Sequence, residues 1–565
     1  MGGLLLCLLV LVLETQAHYF RDQRAPSISS ARDTYRDYRV RKPNIVYIMS
    51  DDMGWNDVSF HNEKVKTPNL NALWAKGIEL TQSYALPQCT PTRSSFMTGR
   101  YPSNNGLQTL VVVPESRSCL PLEHKTIYEH MKNQGYVTKH VGKWHLGSCD
   151  ESCLPEARGV DQFRGILAAG ADYFNWTLRS VVSRRVDGQP STTNIGTHLA
   201  IQDARDAREM ILDHRDNPNP LFMWITPNAP NNPLENTDNM FNVHNFLDAT
   251  NPEQRSRRLY LGLVSAFDDI VGATLSALEE AGMDDNTIIV FSSDNGGADP
   301  STEFPGFHHY ANNYPLRNGK GSFTEGGVRV PTIYYDPRLH PSTRGTSRDF
   351  LVHVVDWMPT FVHLSKLGRM RNFRMNGIDG KSQLANLGSD YNSPERRKYN
   401  IRSEMLVSLS DATVNFVSPS TCATEDAAYR WRDYKLIYGE QYYGPDPSTK
   451  PTSWPKPQES PELPEINGDS CMRVVNGERV ARCLFNVIAD PSETRNLYDE
   501  MPGIVARLIT KIEAAKRTAV KPVYRPTLGF SNTTVRAFGD YFIPRHDFCI
   551  PFVDFPLEPV DSSCY

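Results

Sequence analysis

Two short polar clusters place carboxylate and amide side chains where they could hold a metal ion. Asp51 and Asp52 follow one apolar run of the sequence, and Asp294 and Asn295 follow another. An acidic or amide pair after a strand usually forms a turn or a helix cap, so neither pair alone indicates a metal site. Taken together, the four side chains offer only oxygen ligands, which is the set that a hard cation prefers.

Cys89 stands where a nucleophile could meet an anionic substrate. It opens the segment Cys89-Thr-Pro-Thr-Arg93, in which Pro91 favours the first turn of a helix. We therefore expect Cys89 at an exposed helix start, where free backbone N–H groups and the helix dipole attract an anion such as sulfate. A lone cysteine is more often a buried apolar side chain or half of a disulfide, so the residue by itself leaves these interpretations open.

Each polar cluster follows a short apolar run that predicts a buried parallel strand. Helical patterns separate the runs, for instance at 197–214 and 258–281. Strand and helix in alternation favour a three-layer α/β domain, in which ligands bind beyond the carboxyl ends of the strands. The polar clusters should therefore meet at one edge of the sheet. The predicted strands span residues 45–49, 136–141, 221–225 and 287–291.

Five segments, in order along residues 42–331, resemble the sulfatase family. The most specific is Cys-x-Pro-x-Arg at 89–93 with Thr-Gly-Arg at 98–100, which resembles the signature that a maturation enzyme reads. Weaker similarity continues to 485–493. The resemblance implies an alkaline-phosphatase-like three-layer sandwich with a mostly parallel central sheet. The other four segments are 44–55, 140–147, 292–297 and 316–331.

The resemblance implies hydrolysis of an organic sulfate ester, either an aryl sulfate or a sulfated sugar. A formylglycine-generating enzyme would oxidise Cys89 to formylglycine, whose hydrate attacks sulfur and expels the alcohol. The spacing is most similar to that of arylsulfatase B-like members, which are N-acetylgalactosamine-4-sulfatases, and the Cys-Leu-Pro elements imply a Cys119–Cys153 disulfide. One Ca²⁺ ion would bind Asp51, Asp52, residue 89, Asp294 and Asn295.

Four basic side chains in the matched segments complete the implied site. Lys and Arg are mostly solvated surface groups, and a lone His is mostly packing, so only their place in these segments gives them a role. Arg93 and Lys143 would hold the hydrated formylglycine, and His145 would bond one of its hydroxyls. Lys320 and Lys143 would bind the sulfate, and these fixed cations would stabilise charge that moves to the leaving oxygen.

One position departs from the family pattern. Where the family has a sulfate-binding histidine, this sequence has Asn231. An amide can donate a hydrogen bond to sulfate, but it cannot give a proton to a leaving alkoxide. Lys320 would then act alone, or His308 or His309 would supply the proton. We expect phenols, which leave more easily, to be favoured over sugar alcohols.

Two other interpretations stay open. The first is a catalytically weakened sulfatase-like protein that binds sulfated glycans, because Asn231 could cripple turnover. The second is a phosphomonoesterase or phosphonate hydrolase on a related fold. Against the second, the sequence has no histidine-rich two-metal set around the nucleophile.

Length and composition indicate an ordinary globular protein of two units. The chain has 565 residues, 39% of them hydrophobic, and a net charge of −5 without a basic stripe, which excludes the usual signature of nucleic-acid binding. No stretch after the N-terminus predicts a transmembrane helix. We divide the chain into a signal peptide at 1–17, a flexible lead-in at 18–41, a catalytic domain at 42–387 and a smaller C-terminal α+β domain at 388–565.

Several features indicate the secretory pathway. The apolar run 4–13 precedes Ala17, as expected for a cleaved signal. Without Cys7 and Cys89, eight cysteines remain, an even number that suits an oxidising compartment. Sequons begin at Asn175 and Asn532. We expect a secreted or lysosomal glycoprotein. The sequence does not indicate the oligomeric state.

In the C-terminal part, residues 431–438 alternate like an exposed edge strand and residues 504–520 have a helical pattern.

Overall fold

The computed structural model describes residues 41–108, 111–113, 118–178, 181–298, 310–366, 373–388, 401–411, 425–439, 471–475 and 478–523. The predicted signal peptide, the lead-in up to residue 40, Asn532, His308 and His309 lie outside them. The helices are α1 Pro68–Lys76, α2 Cys89–Thr98, α3 Pro102–Asn105, α4 Ile127–Lys132, α5 Leu199–Leu212, α6 Asp238–Asn242, α7 Pro252–Glu280, α8 Glu325–Val328, α9 Trp357–Ser365, α10 Leu384–Leu387 and α11 Pro502–Lys516. The strands are β1 Asn44–Ser50, β2 Ile78–Leu80, β3 Ser83–Tyr84, β4 Val137–Gly142, β5 Gln162–Ile166, β6 Thr177–Leu178, β7 Val181–Val182, β8 Arg184–Val186, β9 Gln189–Pro190, β10 Leu221–Thr226, β11 Thr287–Ser293, β12 Thr332–Tyr335, β13 Thr346–Arg348, β14 Val352–His353, β15 Glu404–Asp411, β16 Glu425–Trp431, β17 Tyr434–Gly439, β18 Met472–Val475 and β19 Glu478–Asn486.

Ten strands form the central sheet of the larger unit, in the order β13-β2-β12-β11-β1-β10-β4-β5-β8-β9. The five strands from β11 to β5 are parallel to one another, and antiparallel pairs flank them on both sides. The four strands predicted from the sequence correspond to β1, β4, β10 and β11. In the sheet these four are neighbours, in the order β11-β1-β10-β4. The prediction of a mostly parallel central sheet is confirmed.

Strand β1 shows how the sequence produces a sheet with two covered faces. All seven of its residues are buried. Ile45 and Tyr47 pack in one apolar core with residues of α2, α4 and α9. Val46 and Ile48 pack in a second core with residues of α1, α5 and α7. Because successive side chains of a strand point to opposite faces, helices on both sides of the sheet give the predicted three layers.

Helix α7 is the longest helix of the described residues. By length and composition alone it could cross a membrane, but most of it is buried inside the fold, as in a core helix. It begins earlier than the predicted start at residue 258. Pro252 suits the first turn, and Asn251 accepts hydrogen bonds from the N–H groups of Glu253 and Gln254.

The C-terminal unit contains a five-stranded antiparallel sheet, ordered β15-β16-β17-β19-β18, with α11 packed on one face. The prediction of one exposed edge strand at 431–438 is wrong. Trp431 ends β16, Arg432 turns the chain with a φ of 56°, and β17 then lies between β16 and β19. Both faces of β17 are covered, because Leu436 packs towards α11 and Ile437 packs towards the larger unit.

A buried ionic cluster joins the two units. Lys435 Nζ of β17 lies 2.9 Å from Glu325 Oε1 and 2.7 Å from Glu493 Oε1, and all three side chains are fully buried. The Glu325 N–H donates to Glu493 Oε2 at 2.7 Å, and Tyr84 OH donates to Glu325 Oε2 at 2.6 Å. The cluster therefore holds the C-terminal sheet against α8, which follows the Lys320 segment.

Residues 519–523 return from α11 to the larger unit. The N–H of Val520 donates to Ser103 O at 2.8 Å, and the N–H of Val523 donates to Gly106 O at 2.9 Å. Ser118 Oγ donates to Val523 O at 2.6 Å. This late part of the chain therefore binds Ser103, Gly106 and Ser118, which lie on either side of Val112 in the sequence.

Candidate active site

The two acidic pairs meet at the carboxyl ends of β1 and β11. These strands are parallel and pair Ser50 with Ser293, so the residues that follow leave the sheet side by side. One ligand atom from each of four residues lies within 4.8 Å of the others, and all four side chains are buried. The structure therefore brings together the residues that the sequence placed around one cation. The four residues are Asp51, Asp52, Cys89 and Asp294.

Asn295 supplies the observation that tests whether these residues suit a hard cation. Its Nδ2 donates to Asp52 Oδ1 at 2.7 Å and to Gly296 O at 2.9 Å. Its Oδ1 is buried and has no hydrogen-bond partner among the described residues. Three carboxylates lie together here, and the amide that donates to one of them keeps a free oxygen, so these side chains offer oxygen ligands and fit Ca²⁺ or a similar hard ion.

Cys89 is the first residue of α2, as the sequence predicted, but it is not exposed. Only 2% of its surface is accessible, and its Sγ lies 3.6 Å from Asp51 Oδ1. Burial and the nearby Asp294 charge raise the pKa of the Cys89 thiol well above its usual range. The thiol is therefore protonated near neutral pH and is a poor nucleophile. The expected exposed helix start is wrong, because the loop after β1 and the Lys320 segment cover it.

Two lysines pair with the first acidic pair. Lys143 Nζ lies 2.5 Å from Asp51 Oδ2, and Lys320 Nζ lies 2.6 Å from Asp52 Oδ2. Burial alone would raise the pKa of Asp51, but Lys143 and Arg93 outweigh it and hold that pKa below its usual range. Both lysines are therefore compensated positive charges close to Cys89.

Arg93 pairs with the second acidic cluster from one turn along α2. Its Nε and one terminal nitrogen donate to Asp294 Oδ2 at 3.2 and 2.9 Å. Its other terminal nitrogen donates to Lys143 O at 2.8 Å, which joins Arg93 to the Lys143 backbone. Burial and the Asp51 charge raise the pKa of Asp294 to about 6. Repulsion between like charges is costly in a buried site, so a bound cation would reduce the repulsion between these carboxylates.

The hydrogen bonds of His145 determine which ring nitrogen can accept a proton. Nε2 lies 3.1 Å from Val112 O, and a carbonyl can only accept, so Nε2 carries the hydrogen. Nδ1 is buried without a hydrogen-bond partner among the described residues, so it keeps a free lone pair. Burial, with Lys143 and Arg93 nearby, holds the pKa of the imidazole well below its usual range. His145 is therefore neutral and can act as a base through Nδ1.

The loop that carries Asn231 lies beside the first acidic pair. The Asp51 N–H donates to Ala229 O at 3.3 Å, and Tyr173 OH donates to Asn231 O at 2.8 Å. Asn231 is mostly buried, and its Oδ1 accepts a hydrogen bond from Asn232 N at 2.6 Å. That bond turns the NH₂ end of the side chain away from the Asn232 backbone.

Sequence reasoning missed the buried residues that hold these loops. Asp57 Oδ2 accepts hydrogen bonds from Gly54 N at 3.2 Å, Asn312 N at 2.8 Å and Tyr260 OH at 2.9 Å. Its Oδ1 lies 2.7 Å from the Arg257 guanidinium. Asp57 lies just past the matched segment 44–55, which was the one available signal.

The segment with Lys143 and His145 is held by the predicted disulfide. Cys119 and Cys153 are bonded, which confirms that pairing. The Leu120 N–H donates to Leu146 O at 2.9 Å, and Gly147 packs so closely on Cys119 that an added Cβ would lie 2.3 Å from its Cβ. The disulfide therefore lies directly against the backbone that carries the two functional side chains.

Comparison with known proteins identifies the family. The sulfatase family model matches residues 43–367. The chain belongs to the sulfatase family. Arylsulfatase J of Mus musculus is 30% identical over 500 residues, which cover 86% of this chain and 77% of that protein. Arylsulfatase A of Homo sapiens is 28% identical over 373 residues, which cover 62% of this chain and 69% of that protein.

A solved structure agrees with this assignment. The crystal structure of Ps i-CgsB in complex with k-i-k-neocarrahexaose has a TM-score of 0.67 and 25% identity, and covers 90% of this chain and 99% of that chain. The fold is that of sulfatases, and the chain is a sulfuric ester hydrolase by family. These relatives do not single out the N-acetylgalactosamine-4-sulfatases, so that closer similarity stays a prediction.

Proposed function

We propose that this sulfatase hydrolyses organic sulfate esters at the buried cluster around residue 89, with formylglycine made from Cys89 and one Ca²⁺ ion. The observation that carries the proposal is the pair of unsatisfied acceptors, Asn295 Oδ1 and His145 Nδ1, in a site rich in fixed charges. Asn295 Oδ1 can bind a cation, and His145 Nδ1 can accept a proton. The proposed cleavage of a sulfate ester uses both a cation and a proton acceptor.

The state of Cys89 supports the modification. A buried thiol beside carboxylates stays protonated, so the unmodified side chain has little nucleophilic character. Formylglycine would supply an oxygen nucleophile that can be regenerated, and Ca²⁺ would supply positive charge to the sulfate oxygens. The ligands would be Asp51, Asp52, Asp294, Asn295 and residue 89.

The other steps, sulfate binding and proton transfer, are assigned to side chains of the chain itself. Arg93 and Lys143 lie next to residue 89 and neutralise the carboxylates there, so that an anionic substrate can enter. Lys143 and Lys320 bind sulfate oxygens, and Lys320 also faces the bridging oxygen. His145 takes a proton at Nδ1 while Val112 O holds the ring orientation. Preplaced charges of this kind need no reorganisation when charge moves to the leaving oxygen.

Asn231 favours substrates with good leaving groups. Its NH₂ can donate to sulfate, but the side chain has no proton to give to an alkoxide. We therefore propose aryl sulfates as better substrates than sulfated sugars, with Lys320 as the group nearest to the leaving oxygen. The weakened glycan-binding alternative rests on the same residue and predicts no turnover at all.

Peptide mass and activity distinguish these alternatives. Protein from a secretory host that makes formylglycine should carry the aldehyde at residue 89, hydrolyse nitrophenyl sulfate, and lose activity after chelation until Ca²⁺ is restored. Unmodified Cys89 with no turnover would support the binding alternative. Full activity in protein that contains no metal would refute the calcium assignment.

We also propose that the protein matures in the secretory pathway. The apolar run at 4–13, the Cys119–Cys153 disulfide and the exposed Asn175 of an Asn-Trp-Thr sequon support this. Removal of N-glycans with a glycosidase should reduce the mass of secreted protein, and peptide mapping should locate one glycan on Asn175. Secreted protein without glycan at that position would contradict the assignment.

A further inference from the structure

One buried asparagine, Asn313, contacts the three loops that carry the site. Its Oδ1 accepts hydrogen bonds from Gly297 N at 2.9 Å and from Trp55 N at 3.4 Å. Its Nδ2 donates to Gly297 O at 2.9 Å and to Asn318 O at 3.0 Å. Both N–H groups and both acceptor positions of the amide are therefore used.

Each contacted backbone group lies close in sequence to the proposed machinery. Trp55 follows the first acidic pair, Gly297 follows the second, and Asn318 comes just before Lys320. The Lys320 N–H also donates to Gly297 O at 3.1 Å. The amide of Asn313 therefore lies where the backbones of the two cation-binding loops and of the Lys320 loop converge.

The two cation-binding loops contact each other through the backbones of two glycines. A Cβ on Gly297 would lie 2.6 Å from Gly54 Cα, and a Cβ on Gly54 would lie 2.4 Å from Asn312 O. Two glycine backbones in contact offer little apolar surface that could set their relative position. Directional hydrogen bonds contribute most of it, and Asn313 makes four of them, beside those that Asp57 accepts from Gly54 N and Asn312 N.

We propose that Asn313 is a positioning residue that fixes the two cation-binding loops and the Lys320 loop in one arrangement. The inference rests on the proposed function, because that function assigns the loops to Ca²⁺ and sulfate. Asn313 acts through the backbone and touches neither ligand nor substrate. Residues that orient a metal site from outside typically contribute about 10–100-fold to metal affinity or activity.

Asn44 is a matched control at the opposite edge of the sheet. Both asparagines are 5% exposed. Asn44 also links neighbouring strands, because its Oδ1 accepts from Leu221 N at 2.9 Å and its Nδ2 donates to Thr287 Oγ1 at 3.3 Å. Loss of either amide should lower Tm, but only loss of Asn313 should disturb the site.

The test compares the parent, Asn313→Ala and Asn44→Ala after formylglycine content has been measured in each. Hydrogen exchange with mass spectrometry follows residues 51–56 and 294–298, and calorimetry of chelator-stripped protein with CaCl₂ gives the Kd. Asn313→Ala should speed exchange in both segments and raise the Kd about tenfold or more. Asn44→Ala should change neither quantity.

Equal exchange in the two segments and an equal Kd for the two alanine variants would overturn the proposal. A parent that binds no Ca²⁺ would instead contradict the calcium assignment of the proposed function. In that case the exchange comparison, which needs neither metal nor turnover, still decides the role of Asn313.

Asn313→Asp provides a second variant if the alanine variant does not fold. The aspartate keeps the oxygen that receives Gly297 N and Trp55 N, but it places an acceptor opposite Asn318 O. Exchange in residues 316–322 should speed up and kcat for nitrophenyl sulfate should fall about tenfold. The Kd for Ca²⁺ should change less than kcat. Parent-like exchange and kcat would overturn the proposal.

Discussion

His145 Nδ1 and Asn295 Oδ1 are both buried acceptors without a partner among the described residues. A buried acceptor that stays unpaired costs about 1–3 kcal/mol. Two such costs in one site are compensated only when the missing partners bind. The proposed partners are a hydroxyl proton for His145 and a cation for Asn295, so the free site is less stable than the loaded one.

Cys89→Ala should abolish turnover of nitrophenyl sulfate and leave the protein folded, because the change removes one sulfur atom and only a single thiol hydrogen bond, to Asp51. The measurement is kcat with circular dichroism and Tm of the same samples. Ser95→Ala is the control, since Ser95 is a buried residue of the same helix outside the proposed machinery. Comparable turnover by Cys89→Ala and the parent would refute residue 89 as the nucleophile.

Asn231→His should restore a proton donor where the leaving group departs. General-acid assistance is typically worth about 10²–10⁴-fold, and a weakly basic leaving group needs less of it. The substitution should therefore raise kcat/KM for a sugar sulfate more than for nitrophenyl sulfate. Both values are measured in parent and variant, using a sugar sulfate that the parent cleaves.

Two results would show that Asn231 is not a missing acid. One is a parent that cleaves the sugar ester as fast as the aryl ester. The other is a histidine variant that is slower on both esters by the same factor. His308→Ala and His309→Ala would then test those residues as the donor.

At the residue scale, the sequence predicted the side chains around residue 89 but not the residues that hold them in place. Asp51, Asp294 and Cys89 could be found because their types match a chemistry and their neighbours match a family. Val112 and Asn313 could not be found in this way. Val112 acts through a carbonyl that every residue has, and Asn313 acts through backbone contacts that no spacing rule records.

At the element scale, the parallel strands were predictable and the C-terminal sheet was not. Buried parallel strands such as β1 form continuous apolar runs that end in polar residues, so their type and their functional edge are both visible. In the C-terminal unit, Trp431 and Tyr434 belong to two strands joined by a tight turn. Their combined alternation gave the same pattern as one longer strand.

Lys435→Met should destabilise the contact between β17 and α8. The change removes the lysine that Glu325 and Glu493 share and leaves Arg329, 3.6 Å from Glu325, as the remaining ion-pair partner. Loss of one partner from a buried pair typically costs about 3–5 kcal/mol. Urea unfolding should show a lower midpoint. Lys132→Met is the control, because Lys132 pairs with Asp161 at a largely exposed site, where a pair is worth about 0–1 kcal/mol. Equal midpoints for both variants would contradict this account.

At the scale of the whole molecule, Glu493 links stability to pH. Burial raises its pKa from 4.5 to about 7, with Lys435 acting against the rise and Glu325 adding to it. Between these values the folded protein holds a proton that the unfolded chain releases. The contribution of this group is therefore greatest below pH 4.5 and is lost as pH rises through 7.

Glu493→Gln should remove this part of the pH dependence, because glutamine resembles the protonated acid. Relative to the parent, its Tm should rise more at about pH 7.5 than at about pH 5. Glu513→Gln on α11 is a partly exposed control that should leave the difference unchanged. If Glu493→Gln were still more stable at acid pH to the same extent as the parent, the proton would be bound by another group.

Cys89 is 2% exposed, and every residue of the helix that it opens is buried. An enzyme that oxidises this thiol must take the segment into its own active site, which the packed helix prevents. The proposed modification therefore belongs to the interval between synthesis and folding. Residues 519–523 bind the neighbouring Ser103 and Gly106, so the packing in this part of the fold is completed only after most of the chain has been made. The specific activity of the secreted protein would then depend on the rate of Cys89 oxidation relative to the rate of folding.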